Sequence, residues 1–111
     1  MSAGALLYLD FDYSEEADES GCFDAMASVW PHQVPQVEAE VRRVIDWANG
    51  AFDGQHAPLE EGGLWFHDLQ VGREPPEPGA TAGQPGRVRY TLSVVGCAAF
   101  CEAFRTEFGL D

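Results

Sequence analysis

Residues 87–109, RVRYTLSVVGCAAFCEAFRTEFG, decide the fold. Val88, Tyr90, Leu92 and Val94 alternate with Arg87, Arg89, Thr91 and Ser93. A two-residue period places apolar side chains on one face of a strand and polar ones on the other. The period then changes. Cys97, Phe100, Cys101, Phe104 and Phe108 recur at helical spacing, and Gly109 supplies a stop. A half-buried strand followed at once by a helix with one apolar stripe predicts that the helix folds back onto the strand's apolar face.

The same grammar extends outward. GLWFHDLQV (63–71) reads as a strand with Trp65, His67, Leu69 and Val71 on one face. The connecting segment 73–86 is rich in Pro and Gly and carries little that could be buried, so it is expected to be a mobile loop. In the first half, ALLYLDFDY (5–13) puts Leu7, Leu9, Phe11 and Tyr13 on one side and Asp10 and Asp12 on the other. After the polar SEEADESG stretch, CFDAMASVW (22–30) alternates through Phe23, Ala25, Ala27 and Val29. Helical spacing through Phe23, Met26, Ala27 and Trp30 also fits it; its shortness and the turn before it favour a strand.

Pro31 and Pro35 bracket a helix start, because a missing N–H is harmless in the first turn. Val37, Val41, Val44, Ile45, Ala48 and Phe52 form its apolar stripe. Glu38 with Arg42 and Glu40 with Arg43 have the spacing of exposed helix pairs, and Asn49-Gly50 marks the end. The predicted order is ββαββα. It implies a two-layer α+β sandwich over residues 1–111 as a single domain, with a four-stranded, mainly antiparallel sheet and both helices on one face.

Seven of the fifteen residues from Asp10 to Asp24 are acidic, neither Lys nor Arg precedes Arg42, and the chain's net charge is −13. Such a surface repels nucleic-acid phosphate and anionic membrane, so neither is an expected partner. All six basic residues are Arg; Ile45 is the only isoleucine and Asn49 the only asparagine. That scarcity of residues with AT-rich codons points to a GC-rich bacterial genome. The start, MSAGALLYLDFD, lacks a positive n-region and its apolar run stops at Asp10, while three cysteines (Cys22, Cys97, Cys101) suit a reducing compartment. A cytoplasmic location is expected.

LLYLDFDYS resembles the first motif of haloacid-dehalogenase-type phosphatases, where one carboxylate is the nucleophile and the other a general acid. That family also requires a lysine and a later acidic pair in a larger parallel αβ domain. This chain has no lysine, so Asp10 and Asp12 read as a solvated strand face. Asp10, Asp12, Ser14 and Asp18 supply oxygens, but an EF-hand loop started at Asp10 would need Gly where Glu15 stands and Glu where Gly21 stands. The cysteines lack C-x-x-C spacing, and Cys97 and Cys101 share the stripe of three phenylalanines, which reads as core packing. His67 alternates with Trp65 and Leu69 and reads as a hydrogen-bonded core histidine; His32 and His56 fall in loops. No metal, cofactor or catalytic set is assigned.

Two function classes follow. The first is a small acidic interaction protein that binds or masks a basic protein partner, as bacterial immunity proteins and secretion chaperones do, or that self-associates as a homodimer. The second is a small enzyme or anionic-ligand-binding domain with Asp10 and Asp12 acting beside Arg87 and Arg89. Both place the site on the sheet face away from the helices, with Tyr8, Asp10, Asp12, Phe66, Asp68, Arg87 and Arg89 as its members. The matching two-residue spacing of the acids and the arginines predicts that the first and fourth strands are neighbours.

Overall fold

The computed structural model describes residues 6–16, 19–74 and 86–109. The elements run β1 (Phe11–Glu15), β2 (Gly21–Val29), α1 (Val34–Ala51), β3 (Trp65–Arg73), β4 (Val88–Gly96) and α2 (Ala98–Phe108). Short 3-10 turns occupy Pro31–Gln33 and Leu59–Glu61. This is the ββαββα order read from the sequence. Most of the expected loop over 73–86 lies outside the described residues.

The sheet order is β1-β2-β4-β3, and every neighbouring pair is antiparallel. Each half of the chain contributes an outer strand, an inner strand and a helix, so the two ββα units meet at the central β2–β4 pair. The expected β1–β4 neighbourhood is not formed, because β2 lies between them. Charge spacing misled there: exposed ion pairs contribute only about 0–1 kcal/mol, too little to set strand order against burial. The buried faces of the inner strands, Phe23, Ala25, Ala27 and Val29 of β2 with Val88, Tyr90, Leu92 and Val94 of β4, settle it instead.

Both helices cover that inner face. Phe100 and Phe104 of α2 are fully buried, and Phe104 packs on Phe23 at 4.3 Å with its ring tilted and meets Phe11 edge-on at 5.3 Å. Trp47 of α1 contacts Phe100, Phe104 and Phe108 at 5.5–5.8 Å and so joins the helices to each other. Trp65 lies parallel to Phe100 at 5.6 Å. The strand-to-helix corner depends on Gly96, where a Cβ would collide with the Phe100 ring. Gly109 closes α2 at φ 66°, in the left-handed region that glycine tolerates.

Two boundaries and the placement of two glutamates differ from the sequence reading. Helix α1 runs through Asn49-Gly50 to Ala51, because Phe52 beyond it packs on Trp47 and Phe100; the positive φ falls at Gly54. Strand β1 begins at Phe11, not residue 5. The backbone N–H groups just ahead of it are taken by Glu40: its carboxylate accepts from Leu7 (2.8 Å), Tyr8 (3.0 Å) and Leu9 (3.0 Å). Glu40 is therefore not on an exposed helix face but 8% exposed, the buried charged residue of the described core. Glu38 likewise reaches the sheet, accepting from the Tyr90 hydroxyl at 3.2 Å.

Three successive donors on one buried carboxylate tie residues 7–9 to α1. Hydrogen bonds to charged groups contribute about 1.5–3 kcal/mol each, but these three share one carboxylate and their N–H groups can turn to water once it is removed, so the contributions do not add. Glu40→Ala should therefore cost about 2–4 kcal/mol in urea denaturation, and Glu40→Gln roughly half of that. Hydrogen exchange should show protection lost selectively at the Leu7–Leu9 amides in the alanine variant.

Candidate functional site

The sheet face turned from the helices carries Asp12 and Ser14 of β1, the even-numbered residues of β2 and β3, and the odd-numbered residues of β4. The register aligns Asp12, Asp24, Ser93 and Asp68 in one row across all four strands. Ser93 donates its hydroxyl to Asp24 at 2.6 Å. On one side of this row lies Ser14–Cys22–Val95–Phe66; on the other lies Met26–Thr91–Gln70. Met26 is 59% exposed and Trp30, just beyond β2, is 40% exposed. The face is a mixed surface of carboxylates and apolar side chains. Exposed Glu15, Glu16 and Glu19 extend the acid along the β1–β2 turn.

The arginines gather at the other end. Arg87 lies over the Trp30 ring at 4.3 Å and donates to the Ser28 carbonyl. Arg89 faces Glu74 at 3.8 Å, and Ser28 donates to the same Glu74 carboxylate at 3.1 Å. Asp12 and Arg89 thus share a face, as alternation predicted, but they sit on non-neighbouring strands and in different rows. The acid–arginine constellation on which the enzyme reading rested is not assembled. Asp10 is exposed just ahead of β1. Tyr8 is not on this face: its backbone is held by Glu40 and its ring packs against the core. Phe66, Asp68, Arg87 and Arg89 border the open face as expected.

Cys22 was not singled out by its spacing, yet it sits on this face with its thiol toward Asp24 (3.5 Å). Partial burial, then the Asp24 carboxylate, pushes its pKa up to about 11. The thiol is thus held protonated and is a poor nucleophile. Cys101 is buried and donates toward the Gly96 carbonyl at 3.4 Å; all three cysteines are free. His67 pairs with His56, Nδ1 to Nε2, at 2.9 Å, and His56 also packs on Trp65 and Phe66. His67 is half-buried rather than in the core, and its pKa is lowered by burial first and by His56 second. Sequence order gave no sign of this pair, because His56 reaches β3 through a single parallel bridge to Trp65.

Among the described residues, no group of three or more His, Cys, Asp or Glu side chains is placed to hold a metal ion. No described helix is long and apolar enough to cross a membrane. The chain matches no family model, and no significant similarity links it to curated proteins or to solved structures.

Two outcomes follow. Cys22 should be alkylated slowly at neutral pH, and Asp24→Asn should speed the reaction several-fold by removing the neighbouring charge; mass spectrometry of iodoacetamide-treated native protein measures both. The lowered pKa of His67 means that its neutral form is favoured by folding. The stability it contributes is present above the ordinary 6.5 and is lost as pH falls through its native pKa. Acidification also relieves carboxylate repulsion, so the readout is a difference. Between about pH 7.5 and about pH 5.5, the wild type should lose more urea stability, or gain less, than His67→Gln.

Proposed function

We propose that the protein acts by binding a basic protein partner through the acidic end of its open sheet face. The observation that carries this reading is the row Asp12–Asp24–Asp68, which crosses the sheet on a face that no described element covers. The carboxylates lie beside apolar Met26 and Phe66, the mixture that gives a contact surface both steering and burial. The net charge of −13 adds long-range attraction for a cationic protein. Arginine or lysine side chains of the partner would meet Asp12 and Asp24, and its apolar residues would cover Met26. Masking of a basic partner, in the manner of an immunity protein or a chaperone, is the activity such a surface serves.

Immobilised protein exposed to lysate of its source cell should retain basic proteins, identified by mass spectrometry, that elute as salt is raised. Asp12→Arg combined with Asp24→Arg should abolish that retention while leaving the circular dichroism spectrum intact. Capture of the same proteins by the charge-reversed variant would overturn the reading.

A further inference from the structure

We infer that the free edge of β3 pairs with β3 of a second copy, joining two sheets into one about a two-fold axis through Gln70. This goes beyond the reading above: it uses the β3 edge of the sheet and a different occupant, and of the acidic row it involves Asp68 alone.

The backbone defines the register. Trp65 accepts from the Ala57 N–H at 3.0 Å and donates to the Gln55 carbonyl, so its own groups point away from β4. Glu74, of opposite parity, donates inward to Arg87 at 2.8 Å. In an antiparallel ladder these directions alternate, so His67, Leu69, Val71 and Arg73 also present N–H and C=O to the outside. No described strand pairs with that edge. The free stretch is therefore 67–73, and its midpoint is Gln70. A two-fold axis there engages all of it: Leu69 faces the partner's Val71, His67 the partner's Arg73, and Asp68 the partner's Gly72.

Both faces of the strand fit that register. On the helix side, Leu69 and Val71 are 38% and 56% exposed although alternation points them at the core layer. They border a groove of about 360 Å³ whose other wall includes Val41 and Ile45 of α1. Pairing sets each Leu69 against the partner's Val71 and covers both. On the open side, Gly72 leaves a notch of about 210 Å³ beside Arg89, and a Cβ at Gly72 would meet nothing. The partner's Asp68 stands opposite that notch, and its carboxylate would join Glu74, 3.8 Å from Arg89 in the single copy, in sharing the Arg89 guanidinium. The symmetry repeats the contact, giving two equivalent ion pairs.

Charge selects the occupant. A net charge of −13 repels a second copy over most of the surface. Here, however, Arg42, Arg73 and Arg89 gather around the edge with Glu38, Asp46, Asp68 and Glu74, so three cations stand against four carboxylates and the local repulsion is small. A basic strand would be drawn to the acidic β1–β2 end instead. A long unpaired edge with apolar side chains is also one that proteins normally blunt or cover.

Sedimentation velocity from micromolar to millimolar concentration should show a reversible dimer. Asp68→Arg and Arg89→Asp should each weaken it by at least about tenfold, and the two together should restore it. Gln70→Cys should form an intermolecular disulfide on mild oxidation, since residue 70 faces itself across the axis; Asp12→Cys, at the far edge, should not. Thermal melts verify that each variant is folded. A wild type that stays monomeric throughout, with no cross-link at residue 70, would overturn the inference. So would a dimer that Asp68→Arg and Leu69→Lys leave intact. Asp12→Arg with Asp24→Arg should leave the dimer unchanged, so failure of the basic-partner reading stays distinguishable from failure of this one.

Discussion

The antiparallel pairing of β2 with β4, Gly21 against Gly96 through Val29 against Val88, is the constraint on which the rest of this molecule depends. It brings the two ββα units together and places both apolar strand faces side by side. It also leaves β1 and β3 as the edges. The helices then have one surface to cover, and Trp47 with Phe100, Phe104 and Phe108 fills the seam between them. Every surface with functional promise follows from this choice: an uncovered face of four strands, a short acidic edge, and a longer edge with its own arginines.

The same pairing polarises the open face. Had β1 lain beside β4, Asp12 would have been placed to neutralise Arg89 and the face would have been electrically mixed. With β2 between them, the carboxylates of Asp12 and Asp24 stand at one end and the guanidinium groups of Arg87 and Arg89 at the other. Arg89 is answered by Glu74 from the neighbouring strand's end, and Arg87 by Trp30 and the Ser28 carbonyl. The acidic end therefore lies apart from the arginines of the same face.

Elements with a clear period were legible in the sequence. The strands through Phe23–Val29 and Val88–Val94 and the helix through Phe100–Phe108 follow directly from alternation and helical spacing. What was illegible depends on partners that periodicity does not encode. Glu40 looked like half of an exposed pair because its actual partners are backbone N–H groups of residues 7–9, which carry no side-chain signature. Alternation assigned Leu69 and Val71 to the correct face but could not say how far α1 would extend over them. The β1 half differs because α2 supplies Phe104 against Phe11, where α1 offers only the smaller Val41 and Ile45 toward β3. Strand order is not encoded in the spacing of exposed charges, whose pairing is too weak to override burial of the inner strands.

The connectivity also has a kinetic side. Strands β1 and β2, and separately β3 and β4, are consecutive in the chain and pair across the segment that joins them, residues 16–20 in the first case and the longer 74–87 in the second. The central pair instead joins Val29 to Val88 and Gly21 to Gly96, across α1 and the whole of β3. Closing so large a loop spends chain entropy before any cross-strand contact returns it, which slows folding relative to a fold of local contacts. Until that closure, each half exposes an inner strand with an unsatisfied edge and a bare apolar face. Phe23 and Leu92 remain wet until the two halves dock. The strong negative charge of the chain opposes association of any molecule in which those surfaces are bare.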